Sequence, residues 1–277
     1  MKKTPILKKS DHSAPAFVVG KGGKLSVRPG VKVPAKTAKL VALPKKLIPG
    51  CDYGITLVKG EFKASRLPSL PSAEMLGGFH VGLDGVIAPH SIWDIEYRPS
   101  CPDPRGMVRI PGAGWVDIYL LNTEPQINGT SAAGKTIADG LSHVSMPDGE
   151  TKPLTWWNAV TVLARYGKQL LSRPLFETAM QGVEEGKILG RDPETTGHSP
   201  GLKSIYGIEQ ATGCMWTWSS DIYNQNAPWM YILGGDWNSG AAGPRQSYYS
   251  YPGYYWTSIG ARGRCDHLSP VLSEAKA

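Results

Sequence analysis

From Ala16 to Ala64, apolar and polar residues alternate with a period of two, in short runs separated by Pro and Gly. The runs are Ala16–Val19, Lys24–Val27, Val31–Val33, Lys39–Leu43, Asp52–Val58 and Glu61–Ala64. That period puts successive side chains on opposite faces of a strand, so residues 13–88 are predicted to form a small antiparallel β-sandwich. Lys59-Gly60 is placed to turn the chain between the last two runs as a hairpin. Ahead of the first run, residues 1–12 are basic and lack alternation, and a flexible arm is expected there. A Pro- and Ser-rich connector, Leu67–Ser72, follows the last run.

The remainder is patterned differently. Ser91–Tyr97 and Trp115–Leu121 read as strands. A helix is predicted over Trp156–Tyr166, with Thr155 as its N-cap and Trp157, Val160, Leu163 and Ala164 on one face. A second helix is predicted over Leu175–Gly182, with Pro174 suited to its first turn. Gly186–Gly207 reads mostly as loop. Residues 89–277 are therefore expected to be an α+β domain with two helices, short strands and long loops.

Composition fits an ordered, turn-rich chain. Its 277 residues are 41% hydrophobic and 19% charged, with 33 Gly and 23 Pro. No apolar run approaches membrane-spanning length, and no apolar segment follows Met1–Pro5 as a secretion signal requires, so neither membrane insertion nor secretion is expected. Residues 1–70 hold 15 Lys and Arg against Asp11, Asp52 and Glu61, a local +12 within a net charge of +7. These lysines are scattered among alternating apolar positions, which reads as solvated strand faces and not as a nucleic-acid patch. Cys51, Cys101, Cys214 and Cys265 show no CxxC or Cys/His metal spacing and are expected to be free thiols, with Cys214 and Cys265 able to meet in space. No cofactor or metal is implied.

The stretch Gly213–His267 is unlike everything before it. Of the 25 aromatic residues in the chain, 12 lie between Trp216 and Trp256. Within Asp236–Ile259, 15 of 24 residues are Tyr, Ser, Gly, Trp or Asn. That is the composition of a binding loop, where rigid amphipathic rings supply contact area and small polar residues supply adaptable hydrogen bonds. Pro244, Pro252, Gly243 and Gly253 keep the segment irregular. Trp216, Trp218, Trp237 and Arg262 are expected to belong to the framework. Tyr248, Tyr251, Tyr254 and Tyr255 are expected at the surface as contact anchors.

Other motifs carry less. Gly129–Thr136 matches the phosphate-binding P-loop pattern, but Glu124–Asn128 separates it from the preceding strand and Ile137–Ser142 is a poor helix. A nucleotide site is not expected there. No GxSxG turn or useful carboxylate pair marks a hydrolase, and Asp266-His267 reads as part of a structural terminus.

Several longer motifs resemble one family. They are Gly77–His80, Ser91–Ile95 with Arg98-Pro99, Asp103–Met107, Asp117–Leu121, Thr136–Gly140, Ala211–Trp218, Gly234–Asn238, and Gly260–Gly263 with Cys265–His267. The resemblance is to the major tropism determinants, tail-fibre tip proteins of phages whose C-terminal domain has a C-type lectin fold. It runs from about Lys9 to Leu268. The family's additional N-terminal prism-like domain has no counterpart in these residues, and the tail after Leu268 differs.

The resemblance implies a C-type lectin-like domain over residues 89–277 following the sandwich. It also implies a homotrimer, made in the host cytoplasm and carried at the fibre tip of the virion with other tail-fibre proteins. The partner implied is a bacterial cell-surface receptor, protein or glycan. Family members vary their binding face through a retroelement that rewrites chosen codons. The matching positions here are Asp236, Asn238, Gly240, Ala242, Tyr248, Ser250, Tyr251, Tyr254, Trp256, Ser258 and Ile259. The alternative is an oxidase of the formylglycine-generating type, which shares the fold and whose helical stretch Trp156–Gly182 echoes. Its copper site needs two neighbouring thiolates, and the C-terminal strands here supply only Cys265. The calcium-dependent sugar site of animal lectins would require Glu124-Pro125-Gln126 to end in Asn, so lectin fold does not imply lectin activity.

Overall fold

The structure, a computed structural model, describes residues 6–224 and 226–268. The chain divides into two compact units. One runs to Ser100 and resumes at Asp266, and the other is Cys101–Cys265.

In the first unit, strands β1 (Phe17–Val19) and β2 (Leu25–Val27) form an antiparallel hairpin. Strands β3 (Val41–Ala42), β4 (Asp52–Val58), β5 (Glu61–Arg66), β6 (Gly77–His80) and β7 (Trp93–Asp94) form a sheet in the order β3-β5-β4-β6-β7. All its pairings are antiparallel except β3 with β5. The inward side chains of hairpin and sheet share one core, in which Phe17 meets Phe62 edge to face at 5.5 Å. Lys59 and Gly60 make the expected two-residue turn between β4 and β5, both with positive φ (50° and 83°). That backbone matches the twist of the strands it joins. Gly77 and Gly78 let β6 approach Trp93 closely, since a Cβ on Gly78 would lie 2.7 Å from the indole ring.

Three expectations change here. The described part of the basic segment is docked, not a free arm. Leu7 is buried, Lys8 bridges to Lys32, and Lys9 Nζ contacts Asp94 at 2.8 Å with both side chains buried. Residues 1–5 of that segment lie outside the described residues. Ser91–Tyr97 contributes only the short β7, because Asp94 turns its carboxylate onto the Glu96 and Tyr97 N–H groups and ends the strand. Since β7 pairs with β6, the contacts divide after Ser100 and not at the expected boundary after residue 88.

The second unit holds two four-stranded sheets and a separate two-stranded pair. The remaining elements are β8 (Met107–Ile110), β9 (Gly114–Asp117), α1 (Pro125–Asn128), β10 (Val144–Ser145), β11 (Thr151–Lys152), α2 (Trp156–Arg165), β12 (Gln169–Leu170) and α3 (Arg173–Ala179). They continue with β13 (Trp216–Asn224), β14 (Trp229–Leu233), β15 (Ser247–Ser250), β16 (Ile259–Gly260) and β17 (Gly263–Cys265). The sheet orders are β12-β17-β9-β8 and β15-β14-β13-β16.

Thr155 caps α2 as expected, its side chain accepting from Asn158 N–H at 3.2 Å. The buried face, however, is Ala159, Val162 and Leu163, while Trp157 is 57% exposed and Ala164 also faces solvent. Trp156 accounts for the rotation. Its indole N–H donates to the Ser219 carbonyl at 2.8 Å, holding the first turn and directing Trp157 outward. Pro174 sits in the first turn of α3.

A buried polar cluster ties the second unit together. Asp117 accepts from Lys168 Nζ at 2.6 Å, Thr130 Oγ1 at 2.9 Å and Gly263 N–H at 3.2 Å. Burial raises this carboxyl, and the adjacent ammonium opposes the shift. Arg262, 0% exposed, donates through Nη1 to the Asp117 and Ile118 carbonyls and through Nη2 to those of Glu209 and Gln210. Burial pulls its pKa down to about 10. No disulfide joins the four cysteines. Cys265 has Cys101 as its neighbour, whereas Cys214 lies against Ser199, so Cys214 and Cys265, which could have met, have different neighbours.

Candidate functional site

Strands β13, β14 and β15 position the aromatic residues. Cross-strand register pairs Tyr231 with Tyr249, and Met230 with Ser250. Period-two alternation buries Trp218, Met230 and Ile232, leaving a layer of rings on the other side. There Tyr223 stacks on Tyr249 at 4.1 Å and meets Tyr231 edge to face at 5.3 Å. Trp229 abuts Tyr249 at 5.3 Å, and the Arg173 guanidinium lies 5.6 Å from the centre of the Tyr231 ring. Ring pairs of this geometry stabilise one another beyond their buried area.

Past β15 the chain forms a loop held by its backbone. Pro252 O accepts from Trp156 N–H at 3.0 Å, Trp256 O from Gly140 N–H at 3.1 Å, and Ser258 O from Trp216 N–H at 2.9 Å. Gly140 has no room for a side chain, because a Cβ there would lie 2.6 Å from the Tyr255 backbone. On this pinned loop and its adjoining strand, Tyr248, Tyr251, Tyr254, Tyr255 and Trp256 are between 45% and 60% exposed. Of these, Tyr248, Tyr254 and Trp256 border a hollow of about 400 Å³, and Tyr251 and Tyr255 stand outside its lining. Trp216, Trp229, Tyr248, Tyr254 and Trp256 line it together with Ser250, Ser258 and Ile259. No residue lining it carries an acidic or basic side chain.

The candidate positions thus fall into three groups. Tyr248, Tyr254 and Trp256 are exposed at the hollow, Tyr251 and Tyr255 are exposed outside its lining, and Ser250, Ser258 and Ile259 line it. Asp236, Asn238 and Gly240 lie on a separate turn, in which the Asp236 carboxylate accepts from Asn238 N–H at 3.0 Å and Ser239 Oγ at 2.8 Å. Ala242 is 2% exposed beneath that turn, its methyl out of reach of a partner.

The framework assignments hold for Trp218 and Arg262, both fully buried, while Trp237 is half-buried. Trp216 is also half-buried and lines the hollow. Tyr223, Trp229, Tyr231 and Tyr249 were absent from the candidate set, although they extend the same ring layer. Their signal was the alternation within Trp229–Leu233 and Ser247–Ser250, which sends Tyr231 and Tyr249 to one side.

The remaining motifs take up structural positions. Gly134 and Lys135 donate their N–H groups to Thr196 O and Oγ1, at 2.7 and 3.0 Å, so this P-loop-like segment does not turn them toward a phosphate. His267 packs its ring against Tyr97 at 4.6 Å. Among the described residues no group of three or more His, Cys, Asp or Glu is placed to hold a metal ion. Nor, among them, is any helix long and apolar enough to cross a membrane.

Strands with few helices, long loops and a displayed aromatic face fit a C-type lectin fold for the second unit. The Tail fiber receptor-binding protein of Bordetella phage BPP-1 is 30% identical, over 94% of this chain and 84% of that protein. The solved structures of the Major Tropism Determinant U1 and M1 variants match with TM-scores of 0.87 and 0.86. Each is 30% identical, over 95% of this chain and 86% of the other. No protein-family model matches. The chain belongs to the major tropism determinant family.

Proposed function

We propose that this chain is a receptor-binding protein of a phage tail fibre, and that its aromatic face contacts a protein or glycan on the bacterial surface. The observation that carries the reading is the group of five exposed Tyr and Trp side chains, three of which line an uncharged hollow. Rings displayed to water gain little for the fold, whereas under a partner they become contact anchors at low entropic cost. The curated relative is itself a tail fiber receptor-binding protein, and the kinship spans nearly the whole chain. No reaction is assigned to the site.

The contact set is Asp236, Asn238, Gly240, Tyr248, Ser250, Tyr251, Tyr254, Tyr255, Trp256, Ser258 and Ile259, with Ala242 supporting the turn from below. Retroelement-driven variation at these positions is compatible with the way the loop is held. Its main ties are backbone N–H and C=O groups, which remain whatever side chain is written there. At the fibre tip, three copies on one axis would raise avidity by about 10²–10⁴ without new contacts. Light scattering should accordingly give three times the 29.9 kDa chain mass. One chain mass at micromolar concentration would contradict the trimer.

The role is tested with the purified chain on cells of the bacterium that the phage infects. Saturable binding that competes with phage adsorption is expected, weakened at least about tenfold by Tyr254→Ser with Trp256→Ser. Binding that survives both substitutions would move the contact elsewhere.

A further inference from the structure

The first and last residues of the second unit are both cysteines, Cys101 and Cys265. Two observations bring their sulfurs together. Pro99 pairs antiparallel with His267, flanked by hydrogen bonds from Ser100 N–H to Asp266 O and from Leu268 N–H to Arg98 O, both 2.9 Å. Two residues along that register, Cys101 stands opposite Cys265, again at a position not bridged by backbone bonds. Such pairs bring Cα atoms to about 4.5 Å, within the range a disulfide spans. The Cys101 side chain and backbone N–H also both lie within hydrogen-bonding reach of Cys265 Sγ, with the Asp103 carbonyl at 3.2 Å and Met107 Sδ at 3.6 Å as the Cys101 thiol's other neighbours.

The surroundings favour reaction over inert packing. Strand β12 pairs Gln169 with Arg264, and the ammonium of the preceding Lys168 acts by its charge on the Cys265 thiol. The hydrogen bonds from Cys101 and the charge of Lys168 pull the Cys265 thiol down to about 7, against the opposing effect of burial. The two cysteines are 1% and 3% exposed, so a reagent enters only when the end of β17 opens.

We propose that Cys101 and Cys265 form a disulfide that locks the two ends of the second unit together once the protein leaves a reducing compartment. The oxidant is a small-molecule disulfide of the oxidised-glutathione class. Cys265 thiolate attacks one of its sulfurs and expels the other as a thiol. The Cys101 thiolate then attacks Cys265 Sγ, completing the protein disulfide and releasing the second thiol. In sum, the protein's two thiols lose two protons and two electrons, and one external disulfide becomes two thiols. Cross-linking the unit's ends constrains its unfolded chain over nearly the whole unit, which is where a disulfide stabilises most.

The test compares reduced full-length protein before and after prolonged incubation with oxidised glutathione, including a sub-denaturing urea concentration that lets strand ends open. The expected product has lost two hydrogens, carries no glutathione, and yields one peptide cross-link between Cys101 and Cys265. Cys51 and Cys214 should remain alkylatable, and the melting temperature should rise by about 5 °C or more. Cys101→Ser should instead retain glutathione on Cys265. Failure of the wild-type chain to cross-link, a cross-link involving Cys51 or Cys214, or an unchanged melting temperature would each overturn the proposal.

Discussion

One cross-strand row holds both halves of this protein's design. Trp218 on β13 pairs with Ile232 on β14, which pairs with Tyr248 on β15. Exposure along the row runs from 0% through 4% to 57%. Trp218 and Tyr248 are both large rings in one aromatic-rich stretch, yet one belongs to the core and the other to the surface. Strand order makes the difference. The row begins inside the sheet and ends on its edge strand, beyond the rim of the core. A ring at the edge can be exchanged without opening a cavity.

The sharpest way to break that comparison is to damage the frame while leaving every exposed ring in place. Arg262→Ala removes the guanidinium donor from the carbonyls of Asp117, Ile118, Glu209 and Gln210, of which Ile118 keeps the Glu209 N–H. At about 1–3 kcal/mol for each buried group left unsatisfied, the loss rivals the whole stability of a domain. Thermal melting should show no cooperative transition for the second unit. A normal melt would mean that water or neighbouring groups replace the guanidinium.

Gly140→Val sits between frame and face. Its new side chain meets the Tyr255 and Trp256 backbone. Overpacking of this kind typically costs about 1–3 kcal/mol. The strain falls on the loop and not on the core, so cell binding should suffer more than the melting temperature. If melting drops while binding per folded molecule is unchanged, the loop does not set the face.

Local chemistry was legible in the chain. The positive-φ turn at Lys59-Gly60, the Thr155 cap and the first-turn Pro174 each depend on a few adjacent residues. The displayed Tyr251, Tyr254 and Tyr255 were legible too, because Gly and Pro keep their loop irregular, whereas Tyr248 lies on β15, a regular strand where an irregular segment was expected. What depended on distant partners was not. Trp157 faces solvent because Trp156 reaches Ser219, 63 residues away. Asp117 and Lys168 meet across 51 positions, and Arg262 reaches the Asp117 carbonyl across 145. No local pattern marks either contact. Cys101 and Cys265 likewise meet only because both ends of the second unit return to one place.

The central claim is that the same protein surface can lose its rings and keep its fold. It is tested most directly in one variant, Tyr248→Ser with Tyr254→Ser and Trp256→Ser, read by thermal melting and by adsorption to host cells. Stability should stay within roughly 0.5 kcal/mol per substitution. Adsorption should weaken by about 1–2 kcal/mol or more for each anchoring ring. A variant that melts early, or one that melts normally and still adsorbs like the parent, would contradict the account.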